Sequence, residues 1–132
     1  MTTYTGSCDC GAIKVSAKIA DPQGGVACHC GKCKSRYGVF CSVFVVPATD
    51  FAIEDRSSLT SWAYKGDSGS PVPCYFCKTC GVNIYREPAP LKPNVVLIAG
   101  VLDAWKEGKM GISASVCGDV AFPWVDVTTI KA

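Results

Sequence analysis

The sequence predicts an all-β fold of short antiparallel sheets pinned by metal, and three observations predict it. Apolar residues recur at every second position or in short β-rich runs, Gly and Pro turn signals separate those runs, and ten cysteines fall into spaced clusters. No long segment sustains a 3.6-residue period. With 132 residues, 48% of them hydrophobic, the chain is expected to form one domain over residues 1-132 with ample material for a core.

The elements follow in order. Ile13, Val15 and Ala17 alternate with Lys14, Ser16 and Lys18, a half-buried strand that leaves a cysteine turn through Gly11. The segment 32–37 offers the one plausible helical turn. Residues 39–46 form an almost unbroken apolar run closed by Pro47, which predicts a strand covered on both faces. Further strands are expected at 51–53, 61–64, 74–76, 82–85, 95–99 and 112–116. Asp21-Pro22, Gly66-Asp67-Ser68-Gly69 and Glu87-Pro88-Ala89-Pro90 supply turns between them. Trp62, Trp105 and Trp124 are expected to anchor the core or strand pairs, and Cys41 and Cys117 to be small buried hydrophobes.

Charge and hydropathy exclude some functions. A net charge of +2 is too mild for an extended nucleic-acid footprint, which needs a dense basic face. No run approaches the roughly 18 apolar residues of a membrane span. The first residues show no basic stretch followed by an apolar one, so no secretory signal is expected and the protein is placed in the cytoplasm. In that reducing compartment disulfides do not persist, and paired cysteines read as metal ligands.

Cys8-Asp9-Cys10-Gly11 and Cys77-Lys78-Thr79-Cys80-Gly81 are two turns that each end in glycine, which lets backbone amides reach the sulfurs. Together they make a closed four-thiolate zinc site tying two distant hairpins. Cys74-Tyr75-Phe76-Cys77 is a competing pair, set aside because Cys80 would then be stranded on a glycine turn. Between them, Cys28-His29-Cys30-Gly31-Lys32-Cys33 offers three thiolates from one short loop. Three protein ligands and a vacancy is the usual arrangement of catalytic zinc. Three thiolates on a divalent ion leave about one negative charge, so the ion suits a soft fourth ligand such as a substrate thiol better than it suits hydroxide. The alternative is a second structural site closed by Cys41, Cys74, Cys117 or His29. His29, the single histidine, is read as a packing or supporting residue, with ligand or general base as the other possibilities.

Three segments carry a family resemblance: 6–13 around Cys8 and Cys10, 28–34 around Cys28, Cys30 and Cys33, and 75–81 around Cys77 and Cys80. In this order they resemble the signatures of the glutathione-dependent formaldehyde-activating enzymes, a family that includes centromere protein V. Gly100-Val101-Leu102-Asp103 and Pro123-Trp124 are similar to its closing segments. The resemblance implies the β-tent zinc fold shared with methionine-R-sulfoxide reductase B. It implies structural zinc on Cys8, Cys10, Cys77 and Cys80, and a second zinc on Cys28, Cys30 and Cys33, where glutathione chemistry occurs. The implied activity is that of a carbon-sulfur lyase, joining glutathione to formaldehyde or cleaving that adduct. A larger glutathione conjugate is an equal alternative, because the chain outside the cysteines gives formaldehyde no particular support.

The expected partner is therefore a small-molecule thiol adduct, with neither membrane nor nucleic acid. Lys32, Lys34, Arg36 and Arg86 are the candidate donors to its carboxylates, with Tyr37 beside them. Solvated surface charge is the plain alternative for each. The rival function is a noncatalytic zinc module that binds a protein or nucleic acid through Lys32, Lys34, Arg36 and Tyr37.

Overall fold

The computed structural model describes residues 1–66 and 68–126. Its elements are β1 (Thr2–Ser7), β2 (Lys14–Ile19), β3 (Gly25–Cys28), α1 (Gly31–Tyr37), β4 (Cys41–Pro47), β5 (Phe51–Ile53), β6 (Leu59–Lys65), β7 (Pro71–Cys77), β8 (Asn83–Arg86), β9 (Asn94–Ile98), α2 (Asp103–Lys106) and β10 (Ile112–Val116). The all-β expectation holds. Asp67, one residue of a predicted turn, and 127–132, the end of the expected domain, lie outside the described residues.

Two sheets share the strands. The smaller has the order β1-β2-β5, with Tyr4 opposite Ala17 and Ala17 opposite Phe51. The larger runs β10-β3-β4-β9-β8-β7-β6. Its pairs are antiparallel, as expected, except β10 with β3, which is parallel. A parallel neighbour needs a long crossover. Here most of the chain lies between the two strands, and β10 joins β3 only after α2 has carried the backbone across.

β1 and β3 have no signature in the sequence pattern. β1 reads Thr-Thr-Tyr-Thr-Gly-Ser, with Gly6 its one buried residue, and β3 is four residues long. Neither offers an apolar alternation to detect. α2 is a single turn and was equally silent.

The core has two parts. Ile13, Val15, Phe44, Val46, Ile84, Val95, Leu97 and Leu102 pack where the two sheets meet. A second cluster of Cys33, Cys41, Val43, Val96 and Ile98 lies beneath α1. β4 and β9 feed both, because alternate residues of a strand face opposite ways. The double covering expected of the apolar run is therefore present over most of β4 and fails at Val45, which is 45% exposed. Leu97 is wholly buried in the larger cluster, and Leu97→Ala is expected to cost about 2–5 kcal/mol, read as a lowered urea midpoint.

Three side-chain expectations are corrected. Trp62 is 57% exposed and Trp124 70% exposed, so neither anchors the core, although Trp62 does stand opposite Cys74 in the β6–β7 strand pair. Trp62 sits on β6, the outer strand of the larger sheet, and Trp124 stacks on Phe122 at 5.4 Å. Trp105 does pack inward, edge-on to Phe44 at 6.3 Å. Cys117 is exposed and takes a left-handed turn (φ 54) instead of entering the core. Among the described residues no helix is long and apolar enough to cross a membrane.

Candidate metal centres and the adjoining cleft

The first centre joins the two sheets. Cys8 follows β1, Cys77 ends β7, and Cys10 and Cys80 stand on the turns beyond them. All four sulfurs lie within 4.8 Å of one another. Cys10 Sγ is 3.6 Å from both Cys8 Sγ and Cys77 Sγ. Four sulfurs at a zinc–thiolate distance of about 2.3 Å would stand about 3.8 Å apart around a tetrahedron, so the spacing suits zinc. It is far beyond a disulfide bond of about 2.0 Å.

The two turns repeat one pattern. Cys8 N–H bonds Ile13 O at 3.1 Å as Cys77 N–H bonds Val82 O at 3.0 Å, and the glycine amides fold back onto Cys8 O and Cys77 O. Gly11 and Gly81 both have φ 79, the left-handed region that a side chain disfavours. Amides then face the sulfurs: Ile13 N–H donates to Cys8 Sγ at 3.3 Å and Cys80 N–H to Cys77 Sγ at 3.5 Å. The amides of Val82 and then Cys10 bring the Cys80 thiol down to about 6, stabilising the thiolate a metal requires. Cys74 stays apart, buried and donating to Val72 O at 3.7 Å. Cys74 and Cys77 stand three apart in β7 and point to opposite faces, so they cannot share an ion.

The second group is Cys28, Cys30 and Cys33, again with sulfurs within 4.8 Å of one another. Cys28 ends β3, Cys30 caps the N-terminus of α1, and Cys33 is buried within that helix. Cys30 Sγ lies 3.3 Å from Cys33 Sγ and accepts the Cys33 amide at 3.4 Å. Among the described residues no fourth Cys, His, Asp or Glu joins this group. Cys41, opposite Cys28 across the β3–β4 ladder, stays outside the group and donates to Ser42 O at 3.9 Å. His29 is fully buried, packs on Phe40 at 5.2 Å and lies 3.5 Å from Ser115 Oγ through Nε2. Burial, aided by the charge of Lys34, lowers its pKa, which keeps the ring neutral.

A cleft of about 830 Å³ opens at this group, with Cys30 in its wall. Lys32, Tyr64, Lys65, Pro88 and Asp119 line it from four separate segments. Another cleft, of about 550 Å³, lies against β1, β2 and β5 and has no thiol in its lining.

The predicted carboxylate donors scatter. Lys32 Nζ stands at the cleft, 5.7 Å from the Tyr64 ring. Lys34 donates to Val120 O and lies 4.3 Å over Phe122, which ties α1 to the C-terminal segment. Arg36 stacks over Trp62 at 5.4 Å and Tyr64 at 5.9 Å. Arg86 is buried behind Cys33, with Nη1 3.3 Å from its sulfur. Lys65 and Asp119 were not anticipated. They reach the cleft from the end of β6 and the segment after β10, and only the folded topology brings them to Cys30.

Two cysteine groups on a β scaffold, one of four thiols and one bordering a cleft, make a protein able to hold metal on thiolates, and comparison with known proteins identifies the family. Residues 3–119 match the model of the glutathione-dependent formaldehyde-activating enzymes, and the chain belongs to that family. A protein of Emericella nidulans that carries this enzyme name provisionally is 32% identical over 80 residues, covering 59% of this chain and 39% of the relative. The chain thus spans well under half of that relative's length. A crystal structure of a Rhodobacter sphaeroides protein shares the fold, with a TM-score of 0.64 over 85% of this chain and 99% of the other, at 18% identity.

Proposed function

We propose that the protein is a zinc-dependent carbon-sulfur lyase that forms or cleaves a glutathione adduct, S-hydroxymethylglutathione or a related conjugate, in the cytoplasm. The observation that carries this is the group of Cys28, Cys30 and Cys33, of which Cys30 stands in the wall of a cleft, with no fourth ligand among the described residues, in a chain of this family. In the forward direction a carbon-sulfur bond forms between the thiol and the aldehyde carbon, the carbonyl π electrons move to oxygen, and the thiol proton ends on that oxygen.

Cys8, Cys10, Cys77 and Cys80 would hold structural zinc, and Cys28, Cys30 and Cys33 the second ion. When bound there, zinc supplies a soft Lewis acid that keeps a substrate thiol as thiolate and fixes its position. The chain's own side chains do the rest. Glutathione carries two carboxylates and one ammonium, and the cleft presents Lys32 and Lys65 with Asp119, a complementary set. His29 is too deeply buried to exchange protons with the cleft and serves as packing.

The test is metal analysis with an assay of adduct formation from glutathione and aldehydes. About two zinc ions per chain and a rate above buffer are expected. One ion or none in reduced protein, or no rate with any aldehyde, would overturn the lyase assignment. Zinc retained without any rate would put the noncatalytic zinc module ahead, supported by Arg36 stacked on the exposed Trp62. Lys65→Ala is expected to raise KM for the adduct about two- to fivefold with kcat little changed, the scale of one exposed charge contact.

A further inference from the structure

Arg86 ends β8 with 6% of its surface exposed. Its Nη1 lies 3.3 Å from Cys33 Sγ and 3.5 Å from the Tyr64 hydroxyl, while its Nε has no partner among the described residues. Among the described residues no carboxylate forms an ion pair with it. The ion pair found among the described residues joins Lys109 and Glu107 at the surface. A guanidinium cannot shed its proton, and an uncompensated buried charge costs several kcal/mol. Among the described residues, the groups near Arg86 that can become anionic are thiols and phenols: Cys33, Cys41, Cys74, Tyr37 and Tyr64.

We propose that Arg86 is a positioning residue whose fixed positive charge balances the three-thiolate centre and so lets it accept an anionic sulfur as fourth ligand. This rests on the zinc assignment of Cys28, Cys30 and Cys33. Three thiolates leave a divalent ion with about one negative charge, which would repel an incoming thiolate. Arg86 brings the sum to about zero and is absent from the lining of the cleft, so it acts through that ligand without touching substrate. A neutral incoming ligand would not feel the difference. That contrast separates a charge role from simple space filling.

The experiment uses full-length protein loaded with cobalt(II) at both centres, titrated with glutathione and separately with imidazole, and followed by the cobalt absorption bands. S-methylglutathione, which has no free thiol, is the control for binding away from the metal. Arg86→Met and Arg86→Gln should weaken glutathione by about tenfold to a hundredfold, the scale of one unit charge several ångströms away in a partly buried site. Imidazole affinity should stay within about threefold, and Arg86→Lys should restore glutathione to within about threefold of the parent. If the Met and Gln variants do not fold, Arg86→Lys decides: parental preference for glutathione over imidazole supports the proposal, and loss of that preference overturns it. Unchanged glutathione affinity in the Met or Gln variant, or equal weakening of both ligands, also overturns it. A parent protein that binds only one cobalt ion would instead bring down the zinc assignment itself, and this inference with it.

Discussion

Cys77→Ser should unfold the protein. Cys77 is fully buried, and its sulfur lies 3.6 Å from that of Cys10, 67 positions earlier in the chain. The four-thiol centre thus fastens the β1-β2-β5 sheet to the β7–β8 hairpin, closing a long loop that the unfolded chain must otherwise leave open. Structural zinc in small peptides is worth about 10–16 kcal/mol, comparable to the about 5–15 kcal/mol that separates a domain from its unfolded state. Serine offers a harder, less acidic ligand and leaves its hydroxyl in a buried apolar setting. The expected result is zinc reduced by about one ion per chain and loss of the cooperative thermal transition, read by elemental analysis and circular dichroism. Cys74→Ala tests the neighbouring pair: it should keep both ions and cost no more than about 1–2 kcal/mol, since its thiol makes one weak bond to Val72 O. A Cys77→Ser protein that melts with the parental midpoint would rule out a structural role for this centre.

How much of this was legible in the sequence depends on whether the signal was local. The two glycine-ended cysteine turns were, because Gly11 and Gly81 each complete a backbone shape within a few residues of the sulfurs. Ile13, Val15 and Ala17 were legible for the same reason: a strand with one wet face writes its alternation into the chain. β1 did not, since its threonines are held by hydrogen bonds to β2 and not by an apolar face. Trp62 looked like a core residue by type, yet β6 is the outer strand and leaves that side chain in solvent beside Arg36.

Arg86 is the converse case. Arginine is mostly exposed, and nothing in the chain near it announces a buried charge. Its environment is made by residues far away in sequence: Cys33 on α1, Tyr64 on β6, and Cys74 and Val96 across the ladders. The cleft is non-local in the same way. Lys32 was visible beside Cys33, whereas Lys65 and Asp119 arrive at Cys30 only because the end of β6 and the segment after β10 converge there.

Cys30→Ser should abolish adduct chemistry while leaving the fold in place. Cys30 is both a member of the three-thiol group and the N-cap of α1, where its sulfur accepts the Cys33 amide. Serine is among the best N-cap residues, so the substitution preserves the helix start while removing a soft ligand from the cleft wall. Cys30→Ala removes both and should cost about 1 kcal/mol more in stability than serine does. Zinc should fall from about two ions to about one, since two remaining thiolates do not complete a site. Activity should drop by at least about a hundredfold, the scale already lost when groups supporting a ligand are altered. The measurements are a thermal melt, metal content and the adduct assay on one preparation. A Cys30→Ser protein that unfolds as completely as Cys77→Ser would make the middle cluster structural, and one that keeps parental turnover would remove these thiols from the chemistry.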